Sequence, residues 1–258
     1  MEINSTLLKK NIEDELAYKD FVFCDSDKII AQEMIQEINT LGYNFKYIAE
    51  IEAYEIPGSG KIISKYIDQF SSETTRAYLL YHLVADKIEK CAEYIFQLYL
   101  HFQSSDEYIS QKNQPASAHI YVRYDNAFKI LKPKRLKEEL LRLVHNPRDA
   151  FYLPLTMRML SSWKVSEIKE LLIIYLKGSE ITLENVGLGD NEDGFYPNLN
   201  SIRRELKFTA LEGLKYFPSV DIMELVKPYA INEDPDIKVA AKKTLKVIEN
   251  KMKKVQKI

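Results

Sequence analysis

The residues that come closest to a chemical motif are Pro57-Gly58-Ser59-Gly60-Lys61 and Asp190-Asn191-Glu192-Asp193-Gly194. The first has the residue types of a loop that cradles phosphates. Such a loop also needs a glycine five positions before Gly60, so that the backbone can curl, and a hydroxyl after the lysine to bind magnesium. Position 55 is Glu and position 62 is Ile, so a turn between helices is expected. The second has the alternating oxygens of a calcium loop, but Gly189 would fill the first ligand position and Asn200 the closing one, where a bidentate glutamate belongs. The four histidines, His82, His101, His119 and His145, form no His-x-x-x-His pair, and no serine lies in a Gly-x-Ser-x-Gly elbow. Cys24 and Cys91 have no Cys-x-x-Cys spacing, so reduced thiols are expected. No metal, cofactor or catalytic residue is predicted. A binding protein is expected rather than an enzyme.

The elements that must carry any binding surface are helical and repeated. Residues 206 to 217 reappear at 237 to 248, with apolar positions coinciding at Leu206/Ile237, Phe208/Val239, Leu214/Leu245, Tyr216/Val247 and Phe217/Ile248, and a small residue at Ala210/Ala241 where two helices would approach closely. A shift of 54 lays Tyr152 on Leu206, Thr156 on Ala210, Leu160 on Leu214 and Trp163 on Phe217; a further shift of 29 matches Ala127 to Thr156 and Leu131 to Leu160. A period near thirty residues built from paired helices is the pattern of an α-solenoid, in which no single repeat buries its own apolar face. The alignment assigns Trp163 to the core. It also isolates residues 178 to 200, which hold half of the eight glycines, as an insertion that the repeat does not require.

Earlier in the chain, capping and periodicity predict helices from Ser5 or Thr6 to about Lys19, from Asp25 to about Leu41 with Ile29, Ile30, Met34, Ile35 and Ile38 inward, over 43 to 54, over 61 to 70, and from Ser72 to about Ala85 with Tyr81 among the inward residues. Residues 88 to 102 are apolar nearly all round, which predicts a helix packed on both sides. Residues 103 to 118 read as a long loop. The second helix of each later pair is expected to begin near Pro133, Ser166 and Ser219, and Pro147 and Pro235 fall just inside first helices, where a missing amide hydrogen does no harm.

Composition fits this architecture. The chain has 258 residues, 46% of them hydrophobic, with a net charge of −2, so attraction to a polyanion is not built into it as a whole. A single elongated domain is expected, comprising an irregular helical part over 1–118, repeats over 119–250 and a basic tail over 251–258. No leader-like or bilayer-length apolar run occurs, which predicts a cytoplasmic protein that does not enter membranes.

His145-Asn-Pro-Arg-Asp149 and Glu233-Asp-Pro-Asp-Ile-Lys238 resemble the inter-repeat turns of HEAT repeats, and Ile237-Lys238, Ile202-Arg203 and Val122-Arg123 occupy the place of the HEAT Val-Arg pair. Leu41-Gly42-Tyr43 and the segment from Ile56-Pro57 to Tyr66-Ile67 resemble a class of uncharacterised HEAT-repeat proteins of bacteria. The resemblance implies an all-α fold, a right-handed α-solenoid of antiparallel helix pairs, that grips a protein or, less often, a nucleic acid. HEAT-type hydroxylases rely on repeated His-Glu dipeptides, and none occurs here. The expected function is a protein-binding scaffold or an inhibitor or immunity-type protein, acting through second helices 134–145, 166–177 and 219–230. Lys137, Glu138, Arg142, Lys169, Glu170 and Lys177 are the exposed contact residues there, and Asp190, Asp193, Phe195 and Tyr196 those on the insertion. The alternative is a DNA-binding protein similar to the alkyl-purine DNA glycosylases, with Arg142, Arg148, Arg158, Arg203, Arg204 and Lys207 as its basic stripe.

Overall fold

The computed structural model describes residues 25–52, 56–85, 91–104, 115–178, 180–182 and 198–255. The helix expected over 5–19 and most of the insertion, with Asp190, Asp193, Phe195 and Tyr196, lie outside the described residues. The described residues form helices joined by turns, with no strand among them. The chain divides into two compact units, Met1–Glu107 and Tyr108–Ile258.

The first unit contains α1 (Asp25–Asn39), α2 (Ile48–Glu52), α3 (Ser59–Tyr66), α4 (Glu73–Ala85) and α5 (Cys91–Ser104), with α1 on α3, α3 on α4, and α2 and α5 both on α4. α1 buries Met34, Ile35 and Ile38 but leaves Ile29 60% exposed, against expectation. The helix predicted over 43–54 is reduced to α2. Asn39 clasps Phe45 through both its backbone groups (2.9 and 2.8 Å), and the Glu50 carboxylate takes the amide hydrogens of Lys46 and Tyr47, so no helical ladder can form there. Pro57 and Gly58 form a turn, and Ser59 opens α3 with its hydroxyl buried 3.2 Å from Nδ1 of His82. Asp27, fully buried on α1, accepts from the Ser71 amide (2.9 Å), the Ser71 hydroxyl (3.0 Å) and the Ser72 amide (3.1 Å), fixing the entry to α4. Tyr81 is 40% exposed rather than inward, and Leu100 breaks the all-round burial of α5.

The second unit contains α6 (Pro115–Leu131), α7 (Lys137–His145, preceded by a 3-10 turn from Lys134), α8 (Pro147–Tyr152), α9 (Pro154–Ser162), α10 (Ser166–Lys177), α11 (Leu199–Leu214), α12 (Val220–Val226, extended by a 3-10 turn to Ile231) and α13 (Pro235–Val255). The predicted loop is thus shorter than expected, because α6 already begins at Pro115. First helices contact one another in order, α6 to α9, α9 to α11 and α11 to α13, while α7 packs on α10. The small residues of the repeat, Ala127, Thr156, Ala210 and Ala241, are all buried in this row. Val239 departs from its predicted apolar position and is 49% exposed.

Bonds at about the repeat spacing tie the row together. Asp125 on α6, almost fully buried, accepts from the Leu155 amide (2.8 Å) and from both the amide and the hydroxyl of Thr156 (2.7 Å each). These donors are at the start of α9, where Pro154 interrupts what would otherwise be one helix from Pro147. The Tyr175 hydroxyl on α10 donates to the Val144 carbonyl at the end of α7 (2.6 Å), and the Tyr229 hydroxyl donates to the Leu176 carbonyl at the end of α10 (3.1 Å). Thr244 on α13 donates to the Leu211 carbonyl on α11 (2.8 Å). At Gly213 the helices come so close that a Cβ would lie 2.7 Å from Leu172 and 2.8 Å from the Ser161 hydroxyl.

Gly213→Ala is therefore expected to lower stability by about 1–2 kcal/mol, overpacking outweighing the better helix propensity of alanine; a urea midpoint equal to that of the parent would contradict the close approach. Asp125 gives a second test. Burial pushes its carboxyl up to about 6, opposed by its three hydrogen bonds and by Arg158. Its native value lies above its unfolded one, so its contribution is present in full below the unfolded value and is lost as pH rises through about 6, on the order of 3 kcal/mol. Asp125→Asn should flatten the dependence of the urea midpoint on pH between about 4 and 7, and an unchanged slope would exclude Asp125 as the titrating group.

Candidate binding edge

The turns joining first to second helices in the second unit each carry lysine. After α6, Lys132 takes a left-handed backbone (φ 48°), its amide bonded to the Phe128 carbonyl (2.9 Å), and Lys134 follows the buried Pro133. After α9, the Trp163 amide is shared between the Met159 and Leu160 carbonyls (3.2 Å each), and Lys164 also turns left-handed (φ 57°) on a 2.9 Å bond to the Ser161 carbonyl. After α11 come Lys215 and Tyr216, closed by bonds from Tyr216 to Gly213 (3.1 Å) and from Phe217 to Leu214 (3.0 Å).

These turns share one edge. A cleft of about 600 Å³ is lined by Lys134 and Lys137 from the first turn and by Ser162 through Glu167 from the second. Lys251, reaching from α13, donates to the Lys215 carbonyl (2.8 Å) and places its ammonium 5.1 Å from the centre of the Tyr216 ring; the Lys215 ammonium is 5.4 Å from the same ring. The Lys251 ammonium is held below its ordinary value by burial first, then by the charges of Lys164 and Lys215. The ammonium groups of Lys164, Lys215 and Lys251 thus lie close enough on this edge to repel one another. The carboxylates at this end are turned to local partners. Glu138 pairs with Lys137 (2.9 Å), and Glu167 accepts from the Ser166 hydroxyl (2.7 Å), which together with its own amide and Lys137 holds it below the usual carboxylate range. The second unit has 26 lysines and arginines against 19 aspartates and glutamates, a net +7, whereas the first has 10 against 19, a net −9.

Trp163 is not the core residue that the repeat alignment makes it. It caps the end of α9, is half-buried and lines the cleft; Phe217, at the corresponding turn, is half-buried too, whereas Ile248 is fully buried because α13 continues past it to Val255. Of the contact residues predicted on second helices, the structure brings Lys137 into the cleft with Glu138 beside it. Arg142, Glu170 and Lys177 are exposed farther along α7 and α10, and Lys169 is half-buried. The arginine stripe of the DNA-binding alternative is largely engaged within the chain. Arg148 is buried; Arg158 pairs with Glu212 (2.8 Å), Arg203 donates to the Ile181 carbonyl (2.6 and 3.0 Å), and Arg204 binds Asp234 (2.6 Å) and Asp236 (2.5 Å). Lys207 lies over the Tyr229 ring.

Lys164, Lys215 and Lys251 were not singled out from the sequence, although a lysine in every first-to-second turn was there to be read. Among the described residues no group of His, Cys, Asp and Glu could hold a metal, and no helix is long and apolar enough to cross a membrane. The cleft has no histidine or cysteine among its lining residues; Lys134, Lys137 and Lys164 stand around the Trp163 indole. Comparison of the chain with protein-family models, curated proteins and solved structures returns no match.

A non-glycine residue in the left-handed region carries strain of about 1 kcal/mol or more. Lys164→Gly should therefore melt no lower than the parent despite the greater entropy of glycine, while β-branched Lys164→Val should lose about 1–2 kcal/mol. Thermal unfolding of the two variants checks this, and a lower melting point for the glycine variant would show that the lysine side chain stabilises the turn.

Proposed function

We propose that the chain is a non-enzymatic scaffold of the HEAT-like α-solenoid type that binds a protein partner with an acidic surface. The observation that carries this reading is the lysine edge around Trp163, positive charge gathered beside a half-exposed indole with few carboxylates to answer it. Aromatic side chains on exposed rigid turns are characteristic interface anchors, and complementary charge steers association and selects partners. The ordered contacts among first helices and the tyrosine bonds between successive second helices support the solenoid part of the reading. In an inhibitor or immunity-type role, occupancy of this surface is itself the activity. A cytoplasmic setting accompanies the proposal, since two cysteines cannot build a multi-bridge framework and have no Cys-x-x-Cys spacing. The DNA-binding alternative is weakened by the engagement of its arginines inside the fold.

Lysine-reactive cross-linking in native cells, read by mass spectrometry, tests the proposal. Cross-links from Lys134, Lys164, Lys215 or Lys251 to a second protein are expected, and they should be lost when Lys164→Gly and Lys251→Met are combined and the variant is cross-linked through its remaining lysines. Recovery of nuclease-sensitive nucleic acid in place of protein would overturn it.

A further inference from the structure

We infer that the Trp163 cleft and the ammonium groups of Lys164, Lys215 and Lys251 form the docking site for an acidic linear segment of a partner protein, with an aromatic side chain of the segment against the indole and its carboxylates on the lysines. The inference rests on the protein-partner reading and specifies the partner's chemistry. The cleft, about 600 Å³, is of the size that encloses a compact organic group, and a half-buried tryptophan presents a large rigid face to it. Beyond the cleft the cations continue through Lys164 to the pair on Tyr216, so the match is to a short chain with charges spaced along it rather than to a single anion.

One feature favours a peptide over a nucleic acid strand: Glu167 lies on the cleft wall, where it repels a uniformly charged backbone but tolerates an apolar ring flanked by carboxylates.

Trp163 is the one tryptophan in the chain, so its fluorescence reports on this site alone. The full-length protein is titrated with a glutamate-rich peptide carrying one phenylalanine, with the same peptide bearing lysine for glutamate, and with oligothymidylate. Expected is a saturable emission change with the acidic peptide only, weakening as salt is raised. Lys164→Gly should weaken binding severalfold, and Lys215→Met with Lys251→Met, which keeps apolar stems on Tyr216 while removing both ammonium groups, roughly tenfold. Far-ultraviolet circular dichroism confirms that each variant is folded; because the two substitution sets are independent, either suffices. An acidic peptide that leaves the emission unchanged at low salt, or binds equally to parent and variants, overturns the inference. If the peptide is silent while cross-linking finds a folded protein on the same lysines, this inference fails and the protein-partner reading stands. Tighter binding of oligothymidylate than of the acidic peptide overturns both.

Discussion

A buried carboxylate is what holds the helix starts in place. Asp125 takes three donors at the head of α9, and Asp27 takes three from the segment leading into α4. An N-terminal helical turn has amide hydrogens with no partner of its own, and burying them unpaired is costly. In each unit the partner comes from a different helix, so the cap also sets where two helices stand relative to each other. Remove the carboxylate and the donors freed by the break at Pro154 lose their partner, and α9 loses a polar tie to α6. A buried charge is expensive, which is why burial raises the Asp125 value even though the bonds from Leu155 and Thr156 and the charge of Arg158 favour ionisation.

The same economy of polar groups runs through the second unit. The carbonyls at the ends of α7 and α10 have no donor within their own helices, and tyrosine hydroxyls 54 residues apart in sequence supply one to each. Thr244 does so for Leu211 and the Lys251 ammonium for Lys215. Two of the seventeen tyrosines, the buried Tyr175 and the half-buried Tyr229, thus have a structural task, each with a hydroxyl that reaches a neighbouring helix end.

The sequence made the helices of the second unit legible because small and apolar residues recur at one spacing. Ala127, Thr156, Ala210 and Ala241 fell on buried positions, and the starts of α7, α10 and α12 lay close to where Pro133, Ser166 and Ser219 placed them. What it hid were features made by side chains meeting from distant segments. The Asn39 clasp that stops a helix at Phe45, and the Asp125 bond that accompanies a broken first helix, leave no periodic trace. Trp163 was misplaced because alignment compares positions along a chain, whereas burial depends on whether the helix continues, and α9 ends one residue before it. The lysine edge escaped for a related reason. Its members are separated by as many as 117 positions, from Lys134 to Lys251, and only the turns bring them together.

The tyrosine bonds and the lysine turns occupy opposite ends of the same helices. Tyr175 grips the carbonyl end of α7 at Val144, whereas Lys134 and Lys137 flank its amino end. At the lysine end the tie is of another kind: the Lys251 ammonium holds α13 to the close of α11 through the Lys215 carbonyl while the charges of Lys164 and Lys215 press against it. One side chain there both joins two helices and carries the charge that burdens the joint.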